Sequence, residues 1–336
     1  MDPVTMSPER SDTSKPVRPT RSDDFIIVRK LGKGFTGDVY EAIYLPTSEV
    51  VALKICGKTR LLQTRQVEHV RNECDAMRAT LASPFVVDLY LTFQDDHSIY
   101  LVEECLSTGN MFKYLSEHKY LSNNNVRYII SHVVMGLEAL HQAGYVYRDL
   151  KHENLLLTSV GTIKLADLGF CKKLKSDKDR TFTRCGTEGY VPPEQYQKKG
   201  VSFKGDLWAL GIIMYEMLAR VTPFYVQGDA SASAYRARSM SGQVTMWPKS
   251  IPSAAKDLIQ GLLNPDEDAR FSLEQVKAHR YFRGVDWGLV AKLTYHSPLT
   301  VPDEPPVADQ SMPGSYRVSR NYGRLTDSQQ ALFVGF

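Results

Sequence analysis

The sequence lacks the features that define several classes of protein. Its five cysteines are scattered, with no C-x-x-C pair, which is typical of reduced thiols in a cytosolic or nuclear protein. The longest apolar run, 207–218, is interrupted by Glu216 and is shorter than the ~20 residues that span a bilayer. The N-terminal residues have no apolar core of a signal peptide. We therefore expect a cytoplasmic protein, with nuclear access open to it, and no membrane span.

An excess of one charge sign is also missing. Lys and Arg number 41 against 38 Asp and Glu, which gives a formal net charge of +3. Because nucleic-acid-binding proteins usually carry a strong basic excess, we expect no nucleic-acid partner. The 336 residues are 43% hydrophobic and 24% charged. This composition favours a folded core, and the length favours two domains or one two-lobed unit.

The two ends of the chain differ in composition from its middle. Residues 1–22 are rich in Pro, Ser and Thr and are predicted to form a flexible leader. Residues 283–336 are predicted to form a tail that wraps around the protein or hangs free, because prolines block regular structure there. These prolines are Pro298, Pro302, Pro305, Pro306 and Pro313. The dense region between the two ends contains no internal repeat.

The dense region begins with β-rich sequence and continues with helical sequence. Segments 24–32, 37–45, 49–56, 86–93 and 99–104 are predicted strands. Segment 65–81 is a predicted helix. Its buried face comprises Val70, Cys74, Met77 and Leu81. Further helices are predicted after Ser122, an expected N-cap, and over 206–218, which is apolar on nearly every side. The pattern predicts an α+β protein with a β-rich lobe over 23–105, a helical lobe over 106–282 and a ligand site in the cleft between them.

A glycine motif and a lysine indicate phosphate binding in the first lobe. Gly32, Gly34 and Gly37 form G-x-G-x-x-G between two strands, so the tip of a hairpin can lay backbone N–H groups over phosphates. Lys54 ends the third strand, and Glu73 flanks the inward face of the next helix, where an ion pair would aim the ammonium at phosphate oxygens. An ordinary hairpin turn and a surface lysine are the alternatives.

A charged loop in the second lobe carries the densest set of chemical groups. The run YRDLKHEN, 147–154, follows a buried helix and precedes a strand. Asp149 supplies an acid and Lys151 a base, while Asn154 and the later Asp167 offer the hard oxygen ligands that Mg²⁺ prefers. A solvated charged loop is the alternative.

Together these motifs resemble the eukaryotic protein kinases. GKGFTGDV, VALK, Glu73, YRDLKHEN, the Asp167-Leu168-Gly169 run and the Pro192-Pro193-Glu194 run occur in that family's order over about 23–282. The resemblance implies a bilobal kinase fold and a reaction with ATP and Mg²⁺. Its implied catalytic residues are Asp149, Lys151, Asn154 and Asp167, the last two as metal ligands. Its implied nucleotide-binding residues are Gly32, Gly34, Gly37, Val39, Ala52, Lys54, Glu73, Glu104, Leu106 and Glu153.

Other segments resemble the AGC group of kinases. These are RQVEHVRNE, RCGT and a final F-x-x-F formed by Phe333 and Phe336, a pair implied to dock on the small lobe and hold the 65–81 helix inward. A frayed terminus is the alternative. Thr183 matches an activation-loop phosphosite, whose phosphate would bind Arg148, Lys172 and His69. An upstream kinase and a regulatory subunit are the implied partners besides protein substrates.

The resemblance also implies two structural contacts and a set of substrate contacts. Glu194 is expected to pair with Arg270, and Asp206 is expected to cap the catalytic loop. Glu153 and Glu216 match an acidic pair that binds an arginine two residues before the phosphoacceptor. The hydroxyl of Thr187 is expected to meet Asp149 and Lys151.

Five residues depart from the family pattern. Leu168 replaces a Phe, and Asn110 stands where a close relative has a glutamate. Glu103 lies at the back of the adenine pocket, where a carboxylate must find a partner or shift its pKa. Arg184 and Glu188 replace apolar lining of the pocket for the residue after the phosphoacceptor. We expect a Ser/Thr kinase that prefers basic substrates; the alternatives are a pseudokinase that serves as a binding scaffold and a small-molecule phosphotransferase.

Overall fold

The computed structural model describes residues 19–118, 120–176, 178–225, 231–301 and 325–336. Most of the predicted leader, 1–18, and the tail segment 302–324 lie outside the described residues. Within them a five-stranded antiparallel sheet forms the first lobe and helices dominate the second. The α+β prediction is therefore confirmed.

The sheet of the first lobe contains every predicted strand of that region. Its strands are β1 (Phe25–Lys33), β2 (Asp38–Tyr44), β3 (Glu49–Gly57), β4 (Leu89–Gln94) and β5 (Ser98–Glu104). They lie in the order β1-β2-β3-β5-β4. The register places Lys54 beside Leu101 and Ala52 beside Glu103, so two neighbouring strands bring these side chains to the same face.

Two helices pack on this sheet, α1 (Lys58–Gln63) and α2 (Val67–Ala79). Val70, Cys74 and Met77 of α2 are buried as predicted. Leu81 is not, since it lies beyond the helix end and is 51% exposed. The physical reason is Thr80, whose hydroxyl donates to the Ala76 carbonyl oxygen at 2.9 Å and whose N–H closes the last turn.

The second lobe is built around two long helices. Its helices are α3 (Met111–Glu117), α4 (Asn123–Gln142), α5 (Pro193–Tyr196), α6 (Lys204–Ala219), α7 (Ala232–Ser241), α8 (Ser253–Leu262) and α9 (Leu273–Ala278). The Ser122 hydroxyl caps α4 by accepting from the Asn125 N–H. α6 is buried on nearly all sides, as its apolar sequence predicts.

Short strands place the charged loop beside the cleft. They are β6 (Tyr145–Val146), β7 (Leu155–Leu157), β8 (Ile163–Leu165) and β9 (Lys172–Lys173), with β6 paired to β9 and β7 paired to β8. The segment 147–154 thus lies between β6 and β7, and Asp167 follows β8. The segment after β8 reaches the first lobe, since Asp167 contacts Lys54 of β3.

The tail contains more regular structure than its prolines predict. It forms α10 (Trp287–Ala291) and α11 (Asp327–Ala331). α11 begins with a capping box, in which Thr326 and Gln329 each bind the other's backbone N–H. Neither helix contains a proline, which explains how both form. Among the described residues no helix has the length and apolar character needed to cross a membrane.

Candidate active site

A buried charge cluster lies at the end of the cleft where the sequence predicts nucleotide binding, called here the nucleotide end. Lys54 Nζ lies 2.5 Å from Glu73 Oε1 and 3.3 Å from Asp167 Oδ1, and its side chain is 2% exposed. Burial alone would lower the pKa of Lys54, but the carboxylates of Asp167 and Glu73 raise it well above its usual value. Lys54 therefore stays an ammonium, fixed between α2 and the segment after β8.

Asp167 is ionised in this cluster and has an unusual backbone. Burial alone would raise its pKa, but Lys54 overrides that effect and holds the pKa of Asp167 below its usual value. Its φ of 51° and ψ of 73° are left-handed, a conformation that non-glycine residues adopt rarely. The strain fits a carboxylate that must point into the cleft.

The glycine loop between β1 and β2 lies against this cluster. Gly34 N–H donates to the Gly37 carbonyl oxygen at 2.8 Å. A Cβ at Gly37 would come within 2.3 Å of the Ile55 carbonyl oxygen, so only glycine fits there. Thr36 is fully buried, and its hydroxyl donates to Glu73 Oε2 at 3.3 Å. Phe35 packs on Phe170 at 4.3 Å between ring centroids.

Asp206 of α6 binds the backbone of the charged loop. Asp206 Oδ1 accepts from Arg148 N–H at 2.8 Å, and its Oδ2 accepts from Tyr147 N–H at 2.9 Å. His141 Nε2 lies 2.7 Å from the same Oδ2. Asp206 therefore caps this loop, and a buried carboxylate fixes the loop's backbone.

Asp149 is the centre of the end of the cleft where the sequence predicts that the phosphoacceptor binds, called here the phosphoacceptor end. Lys151 Nζ donates to its Oδ2 at 2.6 Å, and the Thr187 hydroxyl donates to its Oδ1 at 2.9 Å. Lys151 also donates to Thr187 Oγ1 at 3.0 Å, which closes a triangle. Burial raises the pKa of Asp149, while the bonds from Lys151 and Thr187 act in the opposite direction. The three side chains form one preorganised unit.

The predicted metal ligands have the donor chemistry that Mg²⁺ requires. Asn154 Nδ2 donates to the Asp149 backbone oxygen at 2.9 Å and to its Oδ2 at 3.0 Å. Both amide hydrogens of Asn154 are thus occupied on the Asp149 side, which leaves its Oδ1 as an acceptor. With the ionised Asp167 this provides two hard oxygen groups for a cation. Among the described residues no cluster of three or more His, Cys, Asp or Glu side chains could hold a metal alone, so phosphate and water oxygens would complete the shell.

Glu103 lies in the part of the cleft where the sequence predicts that adenine binds. Its Oε1 is buried and has no hydrogen-bond partner among the described residues. Burial raises the pKa of Glu103 to about 8, and Lys54 acts in the opposite direction. Ala52 lies opposite Glu103 in the sheet, and Val39 lies opposite Lys54. The next residue, Glu104, binds Lys164 Nζ through its Oε2 at 2.6 Å, whereas Leu106 is half-buried at the joint between the lobes.

The acidic pair that was predicted to bind a substrate arginine has an unpredicted neighbour. Glu153 is exposed, and Glu216 Oε2 accepts from the Tyr190 hydroxyl at 2.9 Å. His152 Nε2 lies 3.0 Å from the same oxygen, a contact that sequence spacing did not reveal. Asn110 does not reach this group; its side chain caps α3 by accepting from Lys113 N–H.

The predicted phosphate partners of Thr183 are dispersed in this structure. Arg148 Nη1 lies 3.4 Å from the Thr183 carbonyl oxygen. Lys172 pairs with Glu68 at 3.6 Å, and His69 Nδ1 lies 2.9 Å from the Gly169 carbonyl oxygen. Among the described residues, Arg148 is thus the one of the three predicted partners that bonds to Thr183, through the Thr183 backbone oxygen.

Buried contacts anchor the chain on both sides of Thr183. Arg270 binds Glu194 through two bonds of 2.8 Å, with side chains 0% and 3% exposed. Leu168 is fully buried in the core that also includes Met77 of α2. Arg270 and Glu194 form the pair that the sequence led us to expect.

The terminal aromatic pair lies on the first lobe. Phe333 is fully buried, its carbonyl oxygen accepts from Gln94 Nε2 at 2.9 Å, and Lys58 Nζ lies 5.1 Å from its ring centre. The Arg71 guanidinium of α2 lies 4.6 Å from the centre of the Phe336 ring. The tail thus contacts α1, α2 and β4.

Comparisons with known proteins agree with this architecture. Residues 25–282 match the protein kinase domain family. The cAMP-dependent protein kinase catalytic subunit of Dictyostelium discoideum is 38% identical over 272 residues, covering 80% of this chain and 41% of that protein. Catalytic subunit 3 of Drosophila melanogaster is 35% identical over 296 residues, covering 87% of this chain and 49% of that protein. A catalytic subunit-like protein of Caenorhabditis elegans is 37% identical over 274 residues, covering 80% of this chain and 67% of that protein.

The chain spans less than half the length of the first two relatives. The family match nevertheless covers both lobes and the whole of the cleft between them. Because a match of this extent includes the charge cluster at Lys54 and the loop at Asp149, the chain belongs to the protein kinase family and resembles the AGC kinases of the cAMP-dependent type.

Proposed function

We propose that this protein is a Ser/Thr protein kinase that transfers the γ-phosphoryl group of ATP to hydroxyls in basic sequence contexts. The observation that carries the proposal is the triangle of Asp149, Lys151 and Thr187. In this proposal the incoming alcohol and the transferring phosphoryl group meet at this carboxylate, ammonium and hydroxyl. Such preorganised charges are worth most in a buried site.

Each group of the triangle has its own task. Asp149 orients the substrate hydroxyl and accepts its proton, for which Oδ1 becomes available when the Thr187 hydroxyl turns aside. Lys151 neutralises charge on the transferring phosphoryl group. Because phosphoryl transfer is loose, this positioning and charge neutralisation supply most of the catalysis.

The nucleotide lies at the opposite end of the cleft in this proposal. Val39 and Ala52 face the adenine, the Glu104 carbonyl and Leu106 amide bind its edge, and Glu153 contributes at the ribose. Lys54, held by Glu73, binds the α- and β-phosphates beneath Gly32, Gly34 and Gly37. Mg²⁺, held by Asn154 and Asp167, would neutralise phosphate charge.

Substrate and partner choice follow from the acidic groups and the activation segment. Glu153 and Glu216 favour an arginine two residues before the acceptor. Phosphate on Thr183, added by an upstream kinase, would draw Arg148 and Lys172 together and order the segment, since each charged hydrogen bond contributes ~1.5–3 kcal/mol.

A regulatory subunit is a further proposed partner. A cytoplasmic location is proposed from the scattered cysteines.

The test is transfer of labelled γ-phosphate to a serine peptide with arginine at position −2. We expect transfer that requires Mg²⁺, falls by about a hundredfold or more in Asp167→Asn, and rises when Thr183 is phosphorylated. Lys199→Ala, which removes an exposed lysine outside the cleft, is the control. Absence of transfer with retained ATP binding would reject the proposal.

One observation favours a binding scaffold as the second candidate. Thr36 and Phe35 pack the glycine-loop tip against the ion pair that the phosphates would use. If ATP fails to shift the thermal midpoint while a substrate peptide still binds, the scaffold is the better description.

A further inference from the structure

A basic cavity lies beside the phosphoacceptor end of the cleft. Its volume is 430 Å³, and it lies between the activation segment, α5 and α7. Three cations face it: Arg184, Lys198 and Arg236. The ring of Phe182, 72% exposed, lies against Gly200, where a Cβ would come within 2.9 Å of it. The cavity thus combines an apolar wall with positive charge.

The charges of this cavity are not balanced within the described residues. Glu188 Oε1 lies 3.3 Å from Arg236 Nη2 and accepts from the Tyr196 hydroxyl at 3.3 Å, so its charge is already engaged. Arg236 Nε is buried without a hydrogen-bond partner among the described residues. Arg184 and Lys198 have no carboxylate within ion-pair distance in the described part of the chain. The cavity therefore favours an anionic occupant.

Its position relates it to the residue that follows the phosphoacceptor. Glu188 directly follows Thr187, whose hydroxyl binds Asp149. The cavity wall is tied to the same segment, since Gln195 Nε2 donates to the Cys185 carbonyl oxygen at 2.8 Å. In the proposed function, a substrate whose hydroxyl lies at Asp149 would direct its next residues toward this cavity. Thr183 does not line the cavity, so the activation-segment phosphate is not its natural occupant.

We infer that this cavity is a substrate subsite for an anionic side chain, carboxylate or phosphate, immediately after the phosphoacceptor. The inference rests on the proposed kinase function. Arg184 and Lys198 bind the anion directly, and Arg236 is held in place by Glu188 and Tyr196. A pocket lined by apolar side chains at this place would prefer an apolar substrate residue, because burying a carboxylate against apolar side chains is unfavourable. The basic lining of this cavity reverses that preference.

The test uses serine peptides that are identical except for the residue after the serine: Asp, phosphoserine, Leu or Lys. Both kcat/KM and the Kd from fluorescence anisotropy are measured. We expect Asp to exceed Leu by about tenfold, as one charged contact provides, and phosphoserine to exceed Asp. Separate Asp and phosphoserine arms tell a carboxylate subsite from a phosphate subsite.

Variants of the cavity sharpen the result. Arg184→Glu is expected to reverse the order of Asp and Lys, and Lys198→Glu to do so more weakly. Lys199→Glu, on an exposed neighbour that does not line the cavity, is expected to leave the ratio unchanged. Equal or better binding of the Leu peptide by the wild-type protein overturns the inference, as does an Asp preference that disappears on phosphorylation of Thr183. If no peptide is phosphorylated, the kinase proposal fails while the Kd ratio still decides the subsite.

Discussion

The two ends of the cleft satisfy their charges in different ways. At the phosphoacceptor end, Asp149 is surrounded by donors from Lys151, Thr187 and Asn154. At the nucleotide end, Lys54 is the common partner of Glu73 and Asp167, and Glu103 adds a further carboxyl whose Oε1 is unpaired. Both carboxylate oxygens of Asp149 accept hydrogen bonds at the phosphoacceptor end, whereas the nucleotide end has more carboxyl groups than ammonium groups to pair with them.

The difference has a physical consequence. A buried carboxyl without a partner is costly when ionised, and this burial raises the pKa of Glu103 to about 8. A cation, or a ligand that donates hydrogen bonds, lowers that cost. The nucleotide end is therefore arranged for an incoming positively charged or donor-rich group, while the phosphoacceptor end is rigid before any ligand arrives.

Breaking the support of the phosphoacceptor end should have the largest effect on stability. Glu194→Gln removes one partner of a fully buried ion pair and leaves Arg270 with an uncompensated charge. We expect the free energy of unfolding to fall by about 3–5 kcal/mol. Differential scanning calorimetry measures the change. Glu188→Gln, at an exposed ion pair, is the matched control and should change stability by less than about 1 kcal/mol.

Removing the tail contact tests the nucleotide end. Phe333→Ala deletes a fully buried ring beside α1 and β4, and we expect a loss of about 3 kcal/mol in the free energy of unfolding. Because Arg71 of α2 also bonds to the tail, the KM for ATP should rise as Glu73 becomes less fixed. Val334→Ala, at a residue 72% exposed, is the control. Equal unfolding curves for both variants would show that the tail is not docked in solution.

The sequence predicted most of these contacts, and the failures have identifiable causes. Apolar periodicity located α2 and its buried residues, because side-chain burial repeats every turn. It misplaced Leu81, since the hydroxyl of Thr80 bonds back to the helix and closes it. The Lys54–Glu73 ion pair was predicted from the position of Glu73 on the flank of the inward face of α2, and the order of the motifs supported it.

The family resemblance implied some contacts between distant elements, such as Glu194 with Arg270, but other distant contacts could not be predicted. His152 meets Glu216 of α6 across 64 positions, and Arg236 of α7 meets Glu188 across 48. Both depend on how helices pack on the activation segment, which no local pattern encodes. The same limit applies to the fold of the glycine-loop tip, because Thr36 finds its partner on α2.

The effect confined to one pH range, and the sharpest for the comparison, comes from Glu103→Gln. In the wild-type protein, burial raises the pKa of Glu103 to about 8 from its usual 4.5. As pH rises, Glu103 therefore loses its proton at a lower pH in the unfolded chain than in the folded protein. The contribution of Glu103 to the free energy of unfolding is highest below about pH 4.5. It falls with rising pH until the carboxyl of the folded protein ionises near pH 8.

Glutamine cannot ionise, so the free energy of unfolding of the variant does not fall with pH for this reason. We expect its thermal midpoint to gain on that of the wild type as pH rises from 5 to 8 and to reach a plateau above pH 8. Glu104→Gln, at a carboxylate paired with Lys164, is the control and should not show a gain that grows over this range. A midpoint difference that is constant between pH 5 and pH 9 would mean that Glu103 is ionised throughout, and the two ends of the cleft would then differ in geometry but not in charge.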